Sequence, residues 1–383
     1  MLAVPGGQLL RDPVGQRPVT ADNEVVAATV RAPGERWHAV IIMVGSRQER
    51  GSQVAVVETV RGPVDLGNLG QTLMHEHVFV LSTEHVQNYG SDWWDEEAMV
   101  ARAIDKLNAV YAKGIRTIVD PTVWGLGRYI PRMQRIAAET PVNIIVAAGL
   151  YVYEELPQQY AYRGPGLLID IPEPMVTDFS RDITEGIGDT GVKAAFLKFA
   201  LETPEPSPGI ERIARAIART HVETGAPITV HTSGPHQTGR IAVRIFREEG
   251  VDLGKVVIGH AGDTNDLDYL TELADAGVTL GMDRFGLDLF NPTAERIKTI
   301  VALASRGYAA SMVLAHDANC FIDYFGAAHD AARAAAAPNW HYEHITDDVL
   351  PALLAAGVTQ AQIDTMMVEN PVKYFTPTKG GAS

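Results

Sequence analysis

From Val57 onward, short runs of Val, Ile and Leu alternate with longer segments of helical apolar periodicity. The short runs are Thr72–His77, Arg116–Pro121, Asn143–Gly149, Lys193–Ala200, Pro227–His231, Val256–His260, Val278–Asp283 and Ser311–Asp317. They read as continuous apolar stretches, as parallel strands buried on both faces do. Between them, Glu97–Lys113, Gly209–Thr224 and Ala294–Arg306 carry helical spacing, closed by Gly114, Gly225 and Gly307 at C-cap positions. Eight strand–helix units predict an α/β fold of the TIM (β/α)8 barrel type rather than a doubly wound sheet. Two more helical segments, Thr346–Ala355 and Gln360–Val368, are expected to cover one end of the barrel.

The barrel is assigned to residues 56–378, with 379–383 as a tail. Residues 1–55 differ: rich in Gly, Pro, Arg and Val and without amphipathic spacing, they are expected to be a disordered extension or to reflect a start codon placed too early, with Met43 nearer the true start. The apolar run Ala39–Val44 is too short and too far from the N-terminus for a secretory signal.

Composition narrows the classes. An apolar content of 46% over 383 residues supports an ample core. A formal charge of −15 disfavours nucleic acid and anionic membranes as partners. No stretch approaches the ~20 apolar residues of a membrane helix. The single cysteine, Cys320, cannot form an internal disulfide, so a cytoplasmic location is expected.

Candidate chemistry lies at the strand ends, where TIM barrels place their active sites. These ends carry His75 and His77, Asp120, Lys198, His231, His260, Asp283 with Arg284, and Asp317. In an extended strand His75 and His77 project to one face, with Glu76 turned away. A His-x-His pair alone is a weak signal. Six of them, however, His75, His77, Lys198, His231, His260 and Asp317, spread over strands one, four, five, six and eight, would leave several buried polar groups unpaired at ~1–3 kcal/mol each unless a cation joined them. Four histidines and an aspartate exceed what one four-coordinate zinc takes from protein, which points to two ions. Lys198 is the odd member: apolar surroundings favour its neutral amine, which can react with carbon dioxide to give a bridging carbamate. A lysine paired with a nearby carboxylate is the plainer alternative, and the residues alone leave both open.

Several stretches resemble the phosphotriesterase family of the amidohydrolase superfamily, and within it the phosphotriesterase-like lactonases. They are Thr72–His77, Thr117–Thr122, Val257–Asp263, Met282–Asp288 and His316–Cys320, and the likeness spans about Val57 to Phe375. The resemblance implies that His75, His77 and Asp317 hold the more buried ion, and His231 and His260 the more exposed one. It also implies that Lys198 is carbamylated and bridges the pair, that Tyr151 and Arg284 position the substrate, and that the protein is a homodimer. Zinc is the first expectation for the two divalent ions, with iron, cobalt or manganese as alternatives.

Two adjacent cations would supply hydroxide near neutral pH, with Asp317 as proton shuttle. The expected activity is the opening of lactones, including the N-acyl-homoserine lactones of bacterial signalling (quorum quenching). Organophosphate triester hydrolysis is the alternative. Phe285, Trp124 and the apolar residues after Asp317 are candidate walls for an acyl chain, with plain packing the equal alternative for the aromatics. His316 is expected to pack between barrel and helices, and His341 and His344 to be structural. His236 is expected either on the substrate or in solvent, and Cys320 near the substrate entrance.

Overall fold

The computed structural model describes residues 55–377, together with two strands at 25–30 and 38–43. The chain divides into two units, 1–53 and 54–383. In the first, β1 (Val25–Val30) and β2 (His38–Met43) pair antiparallel. The rest of the expectation for residues 1–55, and that for the tail 379–383, lies outside the described residues.

The second unit is built on β5 (Gln71–Leu73), β7 (Ile115–Asp120), β8 (Asn143–Leu150), β9 (Phe196–Leu201), β10 (Ile228–Thr232), β11 (Val256–Gly259), β12 (Thr279–Met282) and β13 (Met312–Leu314). These eight strands are neighbours in chain order, and each hydrogen-bonded pair is parallel. Closure comes from the Met74 N–H, which donates to Leu314 O at 3.2 Å. The expected TIM barrel is therefore present. A hairpin, β3 (Val56–Thr59) with β4 (Gly62–Asp65), precedes it. Beyond the closure, β6 (His77–Val80) pairs in parallel with β14 (Asn319–Ile322).

Local chemistry sets the helices. In Glu96–Ala112, Asp95 accepts the Ala98 N–H at 3.0 Å, Glu96 and Glu97 occupy the first turn, and Val100, Ala103, Leu107 and Val110 form the buried stripe. Helix Pro208–Thr224 starts on Ser207, whose hydroxyl accepts the Ile210 N–H at 3.2 Å, and stops at Gly225 with φ +74°.

Alternation along the strands sorts two layers of core. On β8, Ile144, Val146 and Ala148 pack outward among the helices, while Ile145 and Ala147 fill the barrel interior with Val119, Phe196, Val257 and Val313. Tyr374 and Phe375, at the end of the last helix, join that inner layer. The Tyr374 hydroxyl lies 2.9 Å from Thr229 Oγ1. The last helix, Asn370–Phe375, thus plugs the barrel end opposite the strand termini; it lies beyond the two segments, Thr346–Ala355 and Gln360–Val368, expected to do so.

Candidate metal centre

The same alternation aims the polar side chains. Lys198 follows the inward Phe196 by two residues, and His231 follows the inward Thr229 by two. Both therefore project into the barrel above its apolar floor. His75 and His77 reach the same space by a different route from the one anticipated. The first strand ends at Leu73, His75 lies in a bend, and His77 opens β6. Glu76 still points the other way: it is fully buried and accepts from the backbone N–H groups of His316 (2.8 Å) and Ala318 (2.9 Å). This clamp ties the first strand end to the last and brings Asp317 N–H to within 2.9 Å of His75 O.

All six expected ligand residues line one cavity of about 310 Å³, as do Tyr151 and Arg284. His77 Nε2 lies 3.3 Å from Asp317 Oδ1, and His75 Nε2 lies 3.5 Å from the same oxygen. His75 Nε2 is also 3.4 Å from Lys198 Nζ. Across the cavity, His231 Nδ1 and His260 Nε2 face each other at 2.9 Å. Three of the residues that turn the strand ends inward, His260, Arg284 and Asp317, have left-handed backbone with φ between +53° and +63°. Such non-glycine conformations concentrate where a site over-determines the backbone. Gly149 serves Lys198 directly: a Cβ there would fall 1.8 Å from the Lys198 carbonyl oxygen.

Each histidine is oriented by an outer oxygen, a feature the residue pattern had not revealed. Asp283 Oδ1 takes His260 Nδ1 at 2.8 Å, and Asp283 Oδ2 lies 3.2 Å from His75 Nδ1. Thr122 Oγ1 is 2.7 Å from His77 Nδ1, backed by Asp120 Oδ1 at 3.7 Å. Glu202 Oε2 is 2.6 Å from His231 Nε2. With one ring nitrogen hydrogen-bonded, His77, His231 and His260 each present the other to the cavity, the usual arrangement behind a metal ligand; His75 has only the close approach of Asp283 at Nδ1. Asp120 and Asp283 had been noticed only as strand-end residues. Glu202 lies four residues beyond Lys198, and no local signal marked it.

Burial sets the charge states. It lowers His75, pushes His231 down to about 4 and holds His260 well below its ordinary value, so neutral imidazoles predominate near pH 7. Burial likewise brings the Lys198 amine down to about 8. The Tyr151 hydroxyl, raised by burial, stays protonated; it lies 3.1 Å from His231 Nδ1 and 2.6 Å from the Tyr153 hydroxyl. Arg284 donates through Nε to Asp317 Oδ2 at 3.1 Å and through Nη1 to Asp263 Oδ2 at 2.8 Å.

The remaining expectations divide. His316 is buried between barrel and helices, held by Glu76 and by the Ile345 N–H. His344 bonds Asp348 at 2.8 Å, away from the site. His236 is exposed and bonds Ser233. Of the two roles open to Phe285 and Trp124, packing is the one observed, and the reading of Cys320 needs correction. Phe285 is fully buried in the outer core rather than beside the cavity, because the left-handed turn at Arg284 directs it there. Trp124 stacks among Tyr160 and Phe179, outside the cavity lining. Cys320 is buried on β14 against Tyr342, not at an entrance. Of the apolar residues after Asp317, Ile322 does line the cavity, beside Val80 and Leu126, and Leu287, Leu289 and Phe290 complete the walls.

Comparison with known proteins places this geometry. The model of the phosphotriesterase family matches residues 55–375. The chain belongs to the phosphotriesterase family. Among its relatives, a phosphotriesterase homology protein of Mycobacterium tuberculosis is 52% identical over 319 residues, covering 83% of this chain and 97% of the relative. An aryldialkylphosphatase of Saccharolobus solfataricus is 37% identical, with 82% and 97% covered. The solved structure of the phosphotriesterase from Mycobacterium tuberculosis superimposes with a TM-score of 0.81 at 51% identity, over 84% of this chain and 98% of that one. A structure from the engineering of organophosphate hydrolysis in a weak promiscuous lactonase template gives 0.77 at 31% identity, over 84% and 99%. As a member of this family, the protein is a metal-dependent hydrolase acting on ester bonds.

The donor atoms fit cations. Those of His75, His77 and Asp317 lie within 4.8 Å of one another, as do those of His75, His260 and Asp283. In the second group both Asp283 oxygens are already engaged by His260 and His75, which makes Asp283 an orienting carboxylate. Neutral nitrogens packed against one another, as His231 and His260 are, otherwise spend their lone pairs on repulsion. No helix among the described residues is long and apolar enough to cross a membrane.

Proposed function

We propose that the protein opens lactones carrying an apolar tail, N-acyl-homoserine lactones foremost, and cleaves organophosphate triesters as a secondary activity. The observation that carries this reading is Tyr151, whose protonated hydroxyl stands 3.1 Å from His231 in a cavity with the apolar wall Val80, Leu126 and Ile322. A lactone offers that donor a ring oxygen and offers the wall an acyl chain.

In this reading His75, His77 and Asp317 would hold the inner ion, His231 and His260 the outer one, and Lys198 would serve both through its carbamate. Zinc is the favoured metal, and the active form a homodimer in the cytoplasm. When bound, two divalent ions acidify a water and polarise the substrate oxygen. The protein's own residues then do the rest. Tyr151 and Arg284 orient the ring. Asp317 accepts the proton released as water adds, and returns it to the alkoxide that leaves when the ring opens. The Arg284 Nε–H on Asp317 Oδ2 keeps that carboxylate directed at the cavity. Trp340 assists by donating to the Asp317 carbonyl at 3.1 Å.

Triester cleavage has support of its own from the 37% identical aryldialkylphosphatase. Comparing kcat/KM for a long-chain N-acyl-homoserine lactone and an aryl dialkyl phosphate separates the two. Faster lactone turnover is expected; clearly faster triester turnover would reverse the order.

A further inference from the structure

Residues 337–342 form an irregular strap between helix His329–Ala336 and the helical turn Ile345–Val349. Two of its aromatic side chains donate to main-chain carbonyls at the ligand cluster. The Trp340 Nε1–H is shared between the carbonyls of His316 and Asp317, each at 3.1 Å. The buried Tyr342 hydroxyl donates to the His77 carbonyl and lies 3.4 Å from Cys320 Sγ. The strap is itself held: Arg333 Nη1 donates to the Trp340 carbonyl at 3.3 Å, and the Ile345 N–H donates to His316 Nε2 at 2.9 Å. The loop after β12 lies close against it, since a Cβ on Gly286 would fall 2.2 Å from the Asn339 carbonyl oxygen.

The two anchored ligand residues, His77 and Asp317, share one side of the cluster. The His77 N–H donates to Ala318 O at 2.8 Å, and the Asp317 N–H donates to His75 O at 2.9 Å. Each of the two therefore has its N–H tied across the junction of the first and last strands and its carbonyl tied to the strap. Asp317 needs both ties. Its φ of +53° is left-handed, a strained conformation that a residue other than glycine keeps only where its surroundings fix it. His231 and His260 are held by other means, through Glu202 and Asp283.

Metal–ligand distances tolerate only about 0.2 Å of error, so a ligand whose peptide can tilt loses affinity even when its side chain is intact. We propose that Trp340 and Tyr342 are positioning residues for the inner ion, fixing the peptides of Asp317 and His77 so that both side chains converge on one point. The strap thereby serves one half of the metal centre and not the other. This rests on the assignment of His77 and Asp317 to the inner position and extends it to residues outside the barrel.

The test uses two single-position proteins: His231→Ala, which keeps the inner ligands, and His75→Ala, which keeps the outer ones. Cobalt is the probe, and its dissociation constant is measured by chelator competition with and without Tyr342→Phe. The substitution should weaken cobalt about tenfold in the His231→Ala protein, as loss of an outer partner of a ligand does, and leave the His75→Ala protein unchanged. Trp340→Phe should act in the same sense, and it carries the test should Tyr342→Phe not fold. Unchanged affinity at the inner position would overturn the proposal. Equal weakening at both positions would overturn it too, by marking the two aromatics as general packing. If neither single-position protein binds one cobalt ion, the ligand assignment falls and the proposal with it.

Discussion

Asp283 holds His260 at two points: its Oδ1 lies 2.8 Å from the imidazole Nδ1, and both carboxylate oxygens accept the His260 backbone N–H, at 2.9 and 3.1 Å. The grip matters because His260 has left-handed backbone, φ +63°, so ring and main chain would otherwise relax together. The second Asp283 oxygen reaches His75, which couples the two halves of the cluster. Asp283→Ala is expected to weaken metal binding by about 10–100-fold, as loss of an orienting carboxylate does. Chelator competition followed by metal analysis measures it. Unaltered affinity at both positions would show that the imidazoles are held by something else.

Through Nε2, His75 faces Asp317 and Lys198. His75→Ala should empty the inner position and abolish lactone opening, while the outer histidines keep their geometry. Metal counting by mass spectrometry is the direct check. A variant with two bound metals and full activity would contradict the assignment.

Lys198 gives a pH signature. Burial lowers its amine to about 8, below the ordinary 10.5, so the neutral, carbamate-forming amine increases as pH rises through about 8 and is depleted below it. Reconstitution of metal-stripped protein should therefore quicken with added bicarbonate and with rising pH across that window. Intact-mass detection of the added carbon dioxide reports the modification itself. Reconstitution indifferent to bicarbonate, with no mass increase, would favour an unmodified lysine.

Arg296 supports the site from below. At 1% exposure it donates to Asp263 Oδ1 (2.6 Å), the Asp283 carbonyl (2.9 Å) and the Asn291 carbonyl (2.9 Å). Asp263 in turn holds Arg284. Arg296→Ala leaves a buried carboxylate with half its compensation and should cost about 3–5 kcal/mol of stability. Urea unfolding of the variant would register this, and a loss below about 1 kcal/mol would mean that Arg284 alone suffices for Asp263.

Much of this was legible along the chain because it depends on periods of two and of three to four residues. The apolar runs marked all eight barrel strands, and two-residue alternation put Lys198 and His231 on the inner face after Phe196 and Thr229. Ligand-type residues at strand termini likewise stood out, since an apolar strand has little structural use for them.

What only the tertiary structure decided are relations between residues far apart in sequence. The break after Leu73 follows from closure, where the Met74 N–H must reach Leu314 and Glu76 must bridge to His316 and Ala318. Glu202 finds His231 across 29 residues, and Asp120 reaches the His77 ring across 43, so no local period could announce either. Phe285 could serve as channel wall or as packing, and the backbone turn at Arg284 decides for the core. The sequence alone determined which side chains could meet at the strand ends. The barrel's register and turns decided which nitrogen of each imidazole faces inward and what holds it there.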